Sequence, residues 1–347
     1  MKESALKRVG VIGTGRIANR FMVEVRYVAD IQVRGVYNPH RKSAVRFGEK
    51  WGIQAYASFT EFLENIDIVY VATPHETHYA YTKEALLHGK HVLCEKPMVL
   101  QKAQAQELYS YARRYHLVLM EGIKTCYCPC FQKVLGVAHS GRIGHIRNVE
   151  ACFTKLEDPK KRELTDALFG GSFRELGSYV LMPIVKIFGT SPSNMQFESL
   201  YDERGIDLFT KVSLSYTNEM ATSTCGLGVK SDGRLLMSGT KGYILVPAPW
   251  WLTSYFEVHY QDPNHIERYQ IPFLGDGLRY EISELLSRMT CFSESSREQS
   301  MGLTEQESIA LAGFMEAFSR ANPHGTRRNR HDSNDARTAS PVTANRT

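Results

Sequence analysis

The sequence predicts an α/β protein: a doubly wound parallel sheet, followed by an α+β half with a large, open, mostly antiparallel sheet. Three observations lead there. Short apolar runs alternate with helical patterns through the first third of the chain. A glycine-rich turn, "GVIGTGRIAN" (Gly10 to Asn19), follows the first of these runs. After about Gly122 the pattern changes to strand-like runs separated by turn signals. Alternation of strand and helix implies parallel pairing with right-handed crossovers, whereas successive strands imply antiparallel pairing. A chain of 347 residues can bury a large core and hold two domains. The expected division is 1–122, 123–322 and a tail over 323–347.

"RVGVIG" reads as a buried strand ending in glycine. Helical spacing follows from Arg16 to Val28 through Ile17, Phe21, Val25 and Val28. "IQVRGVY" is a second strand, and a helix from about Arg41 to Trp51 turns Ala44 and Phe47 inward. "SFTEFLEN" opens with Ser58 and carries Glu61 three residues on, a capping-box signature. "DIVYVAT" is nearly all apolar, as a strand buried on both faces requires. A helix over about Glu76 to His88 stops at Gly89. "HVLCE", a helix from Lys102 to Tyr115, and "LVLME" complete the alternation.

In the second half, helices are expected near Phe131 to Ser140 and Ser172 to Phe188, on either side of the open-faced strand "HIRNVEACF" and the polar loop "TKLEDPKKRELTD". Six strand-like runs follow: "IDLFTKVSLSY", "EMATSTCGLGV", "RLLMSG", "GYILVPA", "YFEVHYQ" and "IERYQIP". Helices over about Gly277 to Met289 and Thr304 to Ser319 close the fold, and the tail beyond Pro323 reads as disordered. A sheet with one uncovered face favours a homodimer or homotetramer.

Composition excludes several classes. No apolar run reaches the ~18–20 residues of a membrane span. The N-terminus lacks an apolar core with a cleavage site, so a cytoplasmic protein is expected. The net charge of +5 owes much to five Arg against two Asp after residue 322, so no nucleic-acid footprint remains on the body of the protein. Cys126, Cys128 and Cys130 form "CYCPC", but no partner set with zinc spacing accompanies them. Reduced thiols are expected, and no metal.

"GTGRIA" is a GxGxxA arrangement that follows a strand and opens a helix, the context of a dinucleotide fingerprint. Gly13 permits the tight turn, Gly15 lets backbone approach a pyrophosphate, and Ala18 keeps the helix close to the sheet. Thr14, Arg16 and Ile17 complete the expected phosphate loop, where free N–H groups and the helix dipole favour an anion. The second strand ends in Tyr37, Asn38, Pro39, His40 and Arg41, with no acid to bind a ribose. Arg41 or His40 could face a 2′-phosphate, which leans towards NADP. Asn38 could equally bind a plain ribose hydroxyl, so NAD stays open.

"EKP" at Glu95 to Pro97 lies at the carboxyl end of a strand, the edge where open α/β sheets bind ligands. With it the sequence resembles the glucose–fructose oxidoreductase/inositol dehydrogenase (Gfo/Idh/MocA) family. The resemblance rests on "GVIGTGRIA", "YVATPHETHYAYTKEALLHGKHVLCEKPMVL", "SGRIGHIRNVEA", "GGSFRELGSYVLMP", "GTKGYILVP" and "GLRYEISELL", over roughly residues 7 to 320. It is most similar to the branch that holds dimeric dihydrodiol dehydrogenase and related sugar dehydrogenases. The resemblance implies a Rossmann domain, a second domain with an open sheet, and NAD(P)-dependent hydride transfer. It makes Lys96 the lysine that contacts cofactor and substrate oxygen. Thr73, Pro74 and His78 then lie near the nicotinamide, and Glu95 helps shape its pocket.

The chain departs from the family at the second catalytic position. Where much of the family has Asp and His four residues apart, this chain has Glu175 and Tyr179. A spacing of four keeps both on one helix face. Tyr for His matches the dihydrodiol branch, while Glu for Asp adds a methylene. The expected mechanism has Tyr179 exchange the hydroxyl proton, with Lys96 favouring its phenolate. Arg174 could bind an acidic substrate. Lys124 could reach the substrate or be solvated. Asp207 could mark the pocket end of a strand or only a turn. "PWW" (Pro249 to Trp251) could serve dimerisation or pack under a loop. The expected function is an NAD(P)-dependent oxidoreductase acting on a sugar, polyol or cyclic diol. The alternatives are a non-catalytic dinucleotide sensor, or transient redox chemistry used for hydrolysis or elimination.

Overall fold

A computed structural model describes residues 6–290 and 302–322. The first half is a six-stranded sheet in the order β3-β2-β1-β4-β5-β6, every pair parallel. Its strands are β1 (Lys7–Ile12), β2 (Ile31–Tyr37), β3 (Gln54–Ala55), β4 (Ile68–Val71), β5 (His91–Glu95) and β6 (Leu119–Gly122). Between them run α1 (Arg16–Glu24), α2 (Arg41–Trp51), α3 (Phe59–Glu64), α4 (His75–Leu87) and α5 (Lys102–Arg114). Chain order reverses between β1 and β4, which opens a crevice at the carboxyl ends of these strands. All four β4 residues are buried, as its apolar run predicts. The first helix ends at Glu24, not Val28, and Val25–Tyr27 tighten into a 3₁₀ turn.

The second half is an eight-stranded sheet in the order β14-β13-β12-β11-β7-β10-β9-β8. Its elements are α6 (Lys124–Tyr127), α7 (Pro129–His139), β7 (Ile146–Thr154), α8 (Ser172–Phe188), β8 (Asn194–Tyr201), β9 (Asp207–Ser215), β10 (Met220–Gly226), β11 (Leu235–Gly239), β12 (Gly242–Val246), β13 (Tyr255–Tyr260), β14 (Ile266–Gln270), α9 (Leu278–Thr290) and a last helix, α10 (Glu305–Ala321). Only β7 and β10 pair in parallel; the other neighbours are antiparallel. Val149, Ala151, Val212, Met237, Ile244 and Phe256 bury one face. The other face carries the exposed Lys211, Ser213, Thr222 and Tyr243.

Three elements escape the sequence reading. β3 is two residues long. β8 lies at a sheet edge and has no fully buried residue, so its apolar alternation is weak. α6 is a single turn. At α3, the Ser58 hydroxyl accepts from the Glu61 N–H at 3.3 Å, which is half of the expected capping box. The reciprocal box forms at α10, between Thr304 and Glu307. The tail beyond Pro323 lies outside the described residues.

One contact fixes α9 over the first sheet. Arg279 donates to both oxygens of the buried Glu24 on α1, at 2.7 and 3.0 Å. Such a fork-to-carboxylate pair is directional. It carries the start of α9 to the open edge of the parallel sheet.

Candidate active site

The phosphate end of the crevice is built first by its glycines. Gly13 has φ +102°, and a Cβ there would lie 2.4 Å from the Ala72 carbonyl oxygen. The turn therefore requires glycine. Gly15 caps α1 in an ordinary extended conformation, and a Cβ there would meet nothing within 4 Å. Its lack of a side chain leaves open space, not a relieved clash. No side chain caps α1 and no acid sits in its first turn, so the Arg16 and Ile17 end presents free N–H groups. A dinucleotide pyrophosphate fits these residues. Thr14 accepts from the Asn38 amide at 3.0 Å, and Asn38 in turn accepts from the His40 N–H at 2.8 Å. Arg41 is exposed at the start of α2.

The next wall joins two loops through one imidazole. His78 is fully buried, with Nδ1 2.9 Å from the Pro97 carbonyl and Nε2 2.8 Å from the Thr73 carbonyl. Burial pulls its pKa down to about 4. His78 thus lies between the Thr73–Pro74 turn and the Lys96–Pro97 turn, and its neutral ring, with one N–H, donates to one of the two carbonyls at a time. Glu95 is buried at the end of β5 and accepts from the Tyr70 hydroxyl at 2.6 Å. Burial raises its pKa. Lys96 projects across the crevice. Its ammonium donates to the Glu175 carbonyl at 2.9 Å and stands 3.7 Å from Glu175 Oε2.

α8 supplies the opposite wall, and Asp207 anchors its first turn. The Asp207 carboxylate accepts from the Phe173 N–H and the Thr210 hydroxyl, both at 2.8 Å. Gly171, at φ +100°, leaves room for it: a Cβ there would fall 2.0 Å from Asp207 Oδ1. Asp207 is therefore a helix anchor, not a residue of the crevice lining. Glu175 and Tyr179, one turn apart, both face the crevice. Glu175 Oε1 lies 3.6 Å from both His75 Nε2 and Arg162 Nη2, without a hydrogen bond.

Arg174, one position before Glu175, is rotated about 100° around the helix. It donates to the Gly170 carbonyl and the Ser319 hydroxyl, each at 3.4 Å, and is absent from the crevice lining. The expectation that it binds substrate is corrected on that ground.

The expected Lys96-stabilised phenolate is also corrected. The Lys96 ammonium is committed to Glu175 and lies 5.8 Å from the Tyr179 ring centre. Burial first, then the neighbouring carboxyls of Glu95 and Glu281, push the Tyr179 pKa well above its ordinary value. Both effects favour the neutral phenol.

The crevice has a volume of about 550 Å³. Its remaining lining includes residues that sequence reasoning missed. Phe153 and Trp251 stack with ring centres 3.6 Å apart at 8°, and Tyr179 meets Phe153 edge-on at 5.4 Å. "PWW" is thus divided: Trp250 is fully buried, donating to the Cys152 carbonyl at 2.8 Å, and Trp251 forms crevice wall. Phe153 ends the alternating β7 pattern, but nothing in the sequence brings it to Trp251, a hundred residues later. Lys124 donates to the Asp276 carbonyl at 2.5 Å, and burial lowers its pKa. Asp276 also lies 3.6 Å from Arg20 on α1. Cys126, Cys128 and Cys130 are all buried, and the Cys128 thiol donates to the Thr253 carbonyl.

Residues 7–123 match the model of the GFO_IDH_MocA oxidoreductase family, NAD-binding Rossmann fold. The trans-1,2-dihydrobenzene-1,2-diol dehydrogenase of Danio rerio is 28% identical over 323 residues, 89% of this chain and 95% of the relative. That of Macaca fuscata fuscata is 32% identical over 251 residues, 70% of this chain and 75% of the relative. Among solved structures, UDP-N-acetylglucosamine 3-dehydrogenase from Acidithiobacillus ferrooxidans superposes with a TM-score of 0.76 at 20% identity, covering 91% of this chain and 97% of that one. A 3-ketoreductase from Actinomadura kijaniata, in complex with NADP, gives 0.73 at 24% identity, covering 90% and 96%. These two structures share the fold. With a family model on the dinucleotide half and a relative 32% identical along three quarters of its length, the chain belongs to the GFO_IDH_MocA family of NAD(P)-dependent oxidoreductases.

Proposed function

We propose that the crevice interconverts a secondary alcohol and its ketone on a cyclic, polyhydroxylated small molecule: a sugar, a polyol or a cyclic diol. The observation that carries this reading is the convergence of Lys96, Glu175 and Tyr179 on one crevice that also reaches the N-terminus of α1. A relative named for its action on a cyclic diol supports the substrate class. The stacked Phe153 and Trp251 offer a flat apolar surface, which suits one face of a ring.

Gly13, Thr14, Gly15, Arg16 and Ile17 hold the pyrophosphate, and Asn38 and Arg41 take the adenosine ribose. Thr73, Pro74 and Glu95 flank the nicotinamide, with His78 bracing their loops. The bound cofactor supplies or accepts the hydride. Tyr179 supplies or takes the hydroxyl proton. Lys96 holds the substrate oxygen and stabilises charge that develops on it. Glu175 positions the Lys96 ammonium, and Lys124 binds a second substrate oxygen. The absence of an acid after β2, with Arg41 exposed beside it, favours NADP over NAD.

Residues 1–122 form the dinucleotide domain and 123–322 the substrate domain. The exposed face of the larger sheet pairs with a second copy in a homo-oligomer. No helix among the described residues is long and apolar enough to cross a membrane, and a cytoplasmic location fits the sequence.

A panel of aldoses, inositols and trans-diols, assayed separately with NAD and NADP for a change in reduced-cofactor absorbance, tests the reading. Turnover on at least one ring alcohol is expected. Tight nucleotide binding without turnover across the panel would replace it with a sensor.

A further inference from the structure

Glu281, in the first turn of α9, has no exposed surface, and neither of its carboxyl oxygens has a hydrogen-bond partner. The charged and titratable groups facing it come from five elements. They are Glu95 on β5, Lys124 and Tyr127 on α6, Glu24 on α1, Tyr179 on α8 and Tyr70 on β4. None of them neutralises it by contact. Arg279, two residues earlier on α9, is committed to Glu24. The Lys124 ammonium is donated to the Asp276 carbonyl. Among the described residues no cation stands within 4.0 Å of Glu281. A buried carboxyl without partners keeps its proton. Burial and the Glu95 charge both raise its pKa, in agreement.

The crevice lies immediately beyond. Gly122, which ends β6 and pairs with Glu95 across the sheet, lines the crevice. A Cβ at Gly122 would fall 3.5 Å from both Glu281 oxygens. One residue of the crevice wall therefore also borders this carboxyl. Charges are felt strongly in a poorly solvated interior.

We propose that Glu281 is a positioning residue that balances the charge of the oxidised nicotinamide. It stays protonated while the crevice is empty or holds the neutral, reduced ring, and it ionises when the cationic ring of NAD(P)⁺ arrives. The step is a proton exchange only: the neutral carboxyl becomes carboxylate, its proton passes to solvent, and nothing is oxidised or reduced. The inference rests on the proposed placement of the nicotinamide over Glu95 and Lys96. It assigns this chain a means of favouring the oxidised over the reduced cofactor as pH rises.

Calorimetric titration of the full chain with NADP⁺ and with NADPH, in buffers of different ionisation heat, tests it. Binding of NADP⁺ is expected to release about one proton, and its affinity to rise up to about tenfold per pH unit below the Glu281 pKa. Binding of NADPH should release none and show no such slope. Glu281→Gln keeps the shape of the neutral acid, so it should still bind both cofactors and release no proton with NADP⁺. Infrared difference spectra of the unaltered protein give a readout that needs no variant: a carboxylic-acid C=O band should vanish when NADP⁺ is added and persist with NADPH. Proton release that survives Glu281→Gln and disappears in Glu95→Gln would overturn the assignment. Binding of both cofactors to the unaltered protein without proton release would overturn it too, while leaving the nucleotide site standing. Failure to bind either would remove both.

Discussion

Lys96 and Glu175 meet across the crevice from opposite halves of the molecule, ammonium to main-chain carbonyl at 2.9 Å and to carboxylate at 3.7 Å. Both side chains are largely buried, so the pair lies in a medium where charge is felt strongly. Glu175 also faces His75 and Arg162, so one carboxylate answers several positive or proton-bearing groups. The ammonium is thereby held over the crevice, 5.8 Å from the centre of the Tyr179 ring.

Lys96→Met preserves the length of the stem and removes the charge. Turnover should fall by about 10³-fold, the scale of losing one preorganised donor at a developing oxyanion. Nucleotide affinity should change less than about threefold, since the proposed pyrophosphate site is the N-terminus of α1. Steady-state kinetics beside a nucleotide fluorescence titration separates the two. A variant retaining most of its kcat removes Lys96 from the mechanism.

Tyr179→Phe removes one hydroxyl and keeps the ring against Phe153. Because burial and neighbouring carboxyls keep the phenol protonated, ketone reduction should lose about 10²–10⁴-fold in kcat with little change in KM. In the unaltered protein the reductive rate should stay flat across neutral pH and fall only in strong alkali, when the phenol ionises. A reductive rate that declines near pH 7 would mean that another group delivers the proton.

Much of this site is legible in the chain, and the part that is not has a physical cause. Gly13, Gly15, Lys96 and the Glu175–Tyr179 spacing depend on local geometry: a tight turn, a strand end and one helical turn. Their placement can be read from neighbours in sequence, whereas the roles expected of Lys96 and Tyr179 come from the family resemblance. Arg174 shows where local reading stops, because one helical step carries it to Ser319 and out of the crevice. The Phe153–Trp251 wall and the Glu281–Gly122 contact arise from chain segments far apart, joined only by packing. The commitment of Lys96 to Glu175 and the burial that raises the Tyr179 pKa likewise depend on how the chain packs. The fold follows the same division: buried strands such as β4 are plain, and the edge strand β8 is not.

The two glycines of the fingerprint should respond oppositely to alanine. Gly13→Ala places a Cβ against the Ala72 carbonyl at a φ of +102°, so about 2–4 kcal/mol of stability should be lost. Gly15→Ala places a Cβ in open space with ordinary backbone angles, so the melting temperature should hardly move. Its nucleotide affinity should nevertheless fall by about tenfold or more, since the methyl occupies the approach to the pyrophosphate. Unchanged affinity in Gly15→Ala would show that the phosphates lie elsewhere.

Arg41 is the test of cofactor choice. Exposed at the start of α2 beside Asn38, it can meet a 2′-phosphate without displacing a partner. Arg41→Ala should lower kcat/KM with NADP by about tenfold, the scale of one charged hydrogen bond, and leave NAD unaffected. An equal loss with both would place Arg41 outside the ribose site.

His78 links stability to pH through two carbonyls. Burial holds its pKa near 4 in the fold, against ~6.5 in an unfolded chain. A depressed folded value means that the neutral ring is the form that folds. Its contribution is complete above pH 6.5 and is lost as pH falls through 4. Between pH 7 and pH 5 the loss comes to about 2 kcal/mol. His91, also held near 4 by burial, adds a loss of the same sign, so the unaltered protein alone does not isolate His78. The isolating measurement is urea unfolding of the unaltered protein and of His78→Gln at both pH values. The stability difference between them should shrink by about 2 kcal/mol at pH 5. Two carbonyl acceptors at 2.8 and 2.9 Å pull the other way, because an imidazolium would donate to both. A difference that holds steady, or grows, on acidification would mean that these carbonyls outweigh burial and that the brace between the Thr73 and Pro97 turns carries a positive charge.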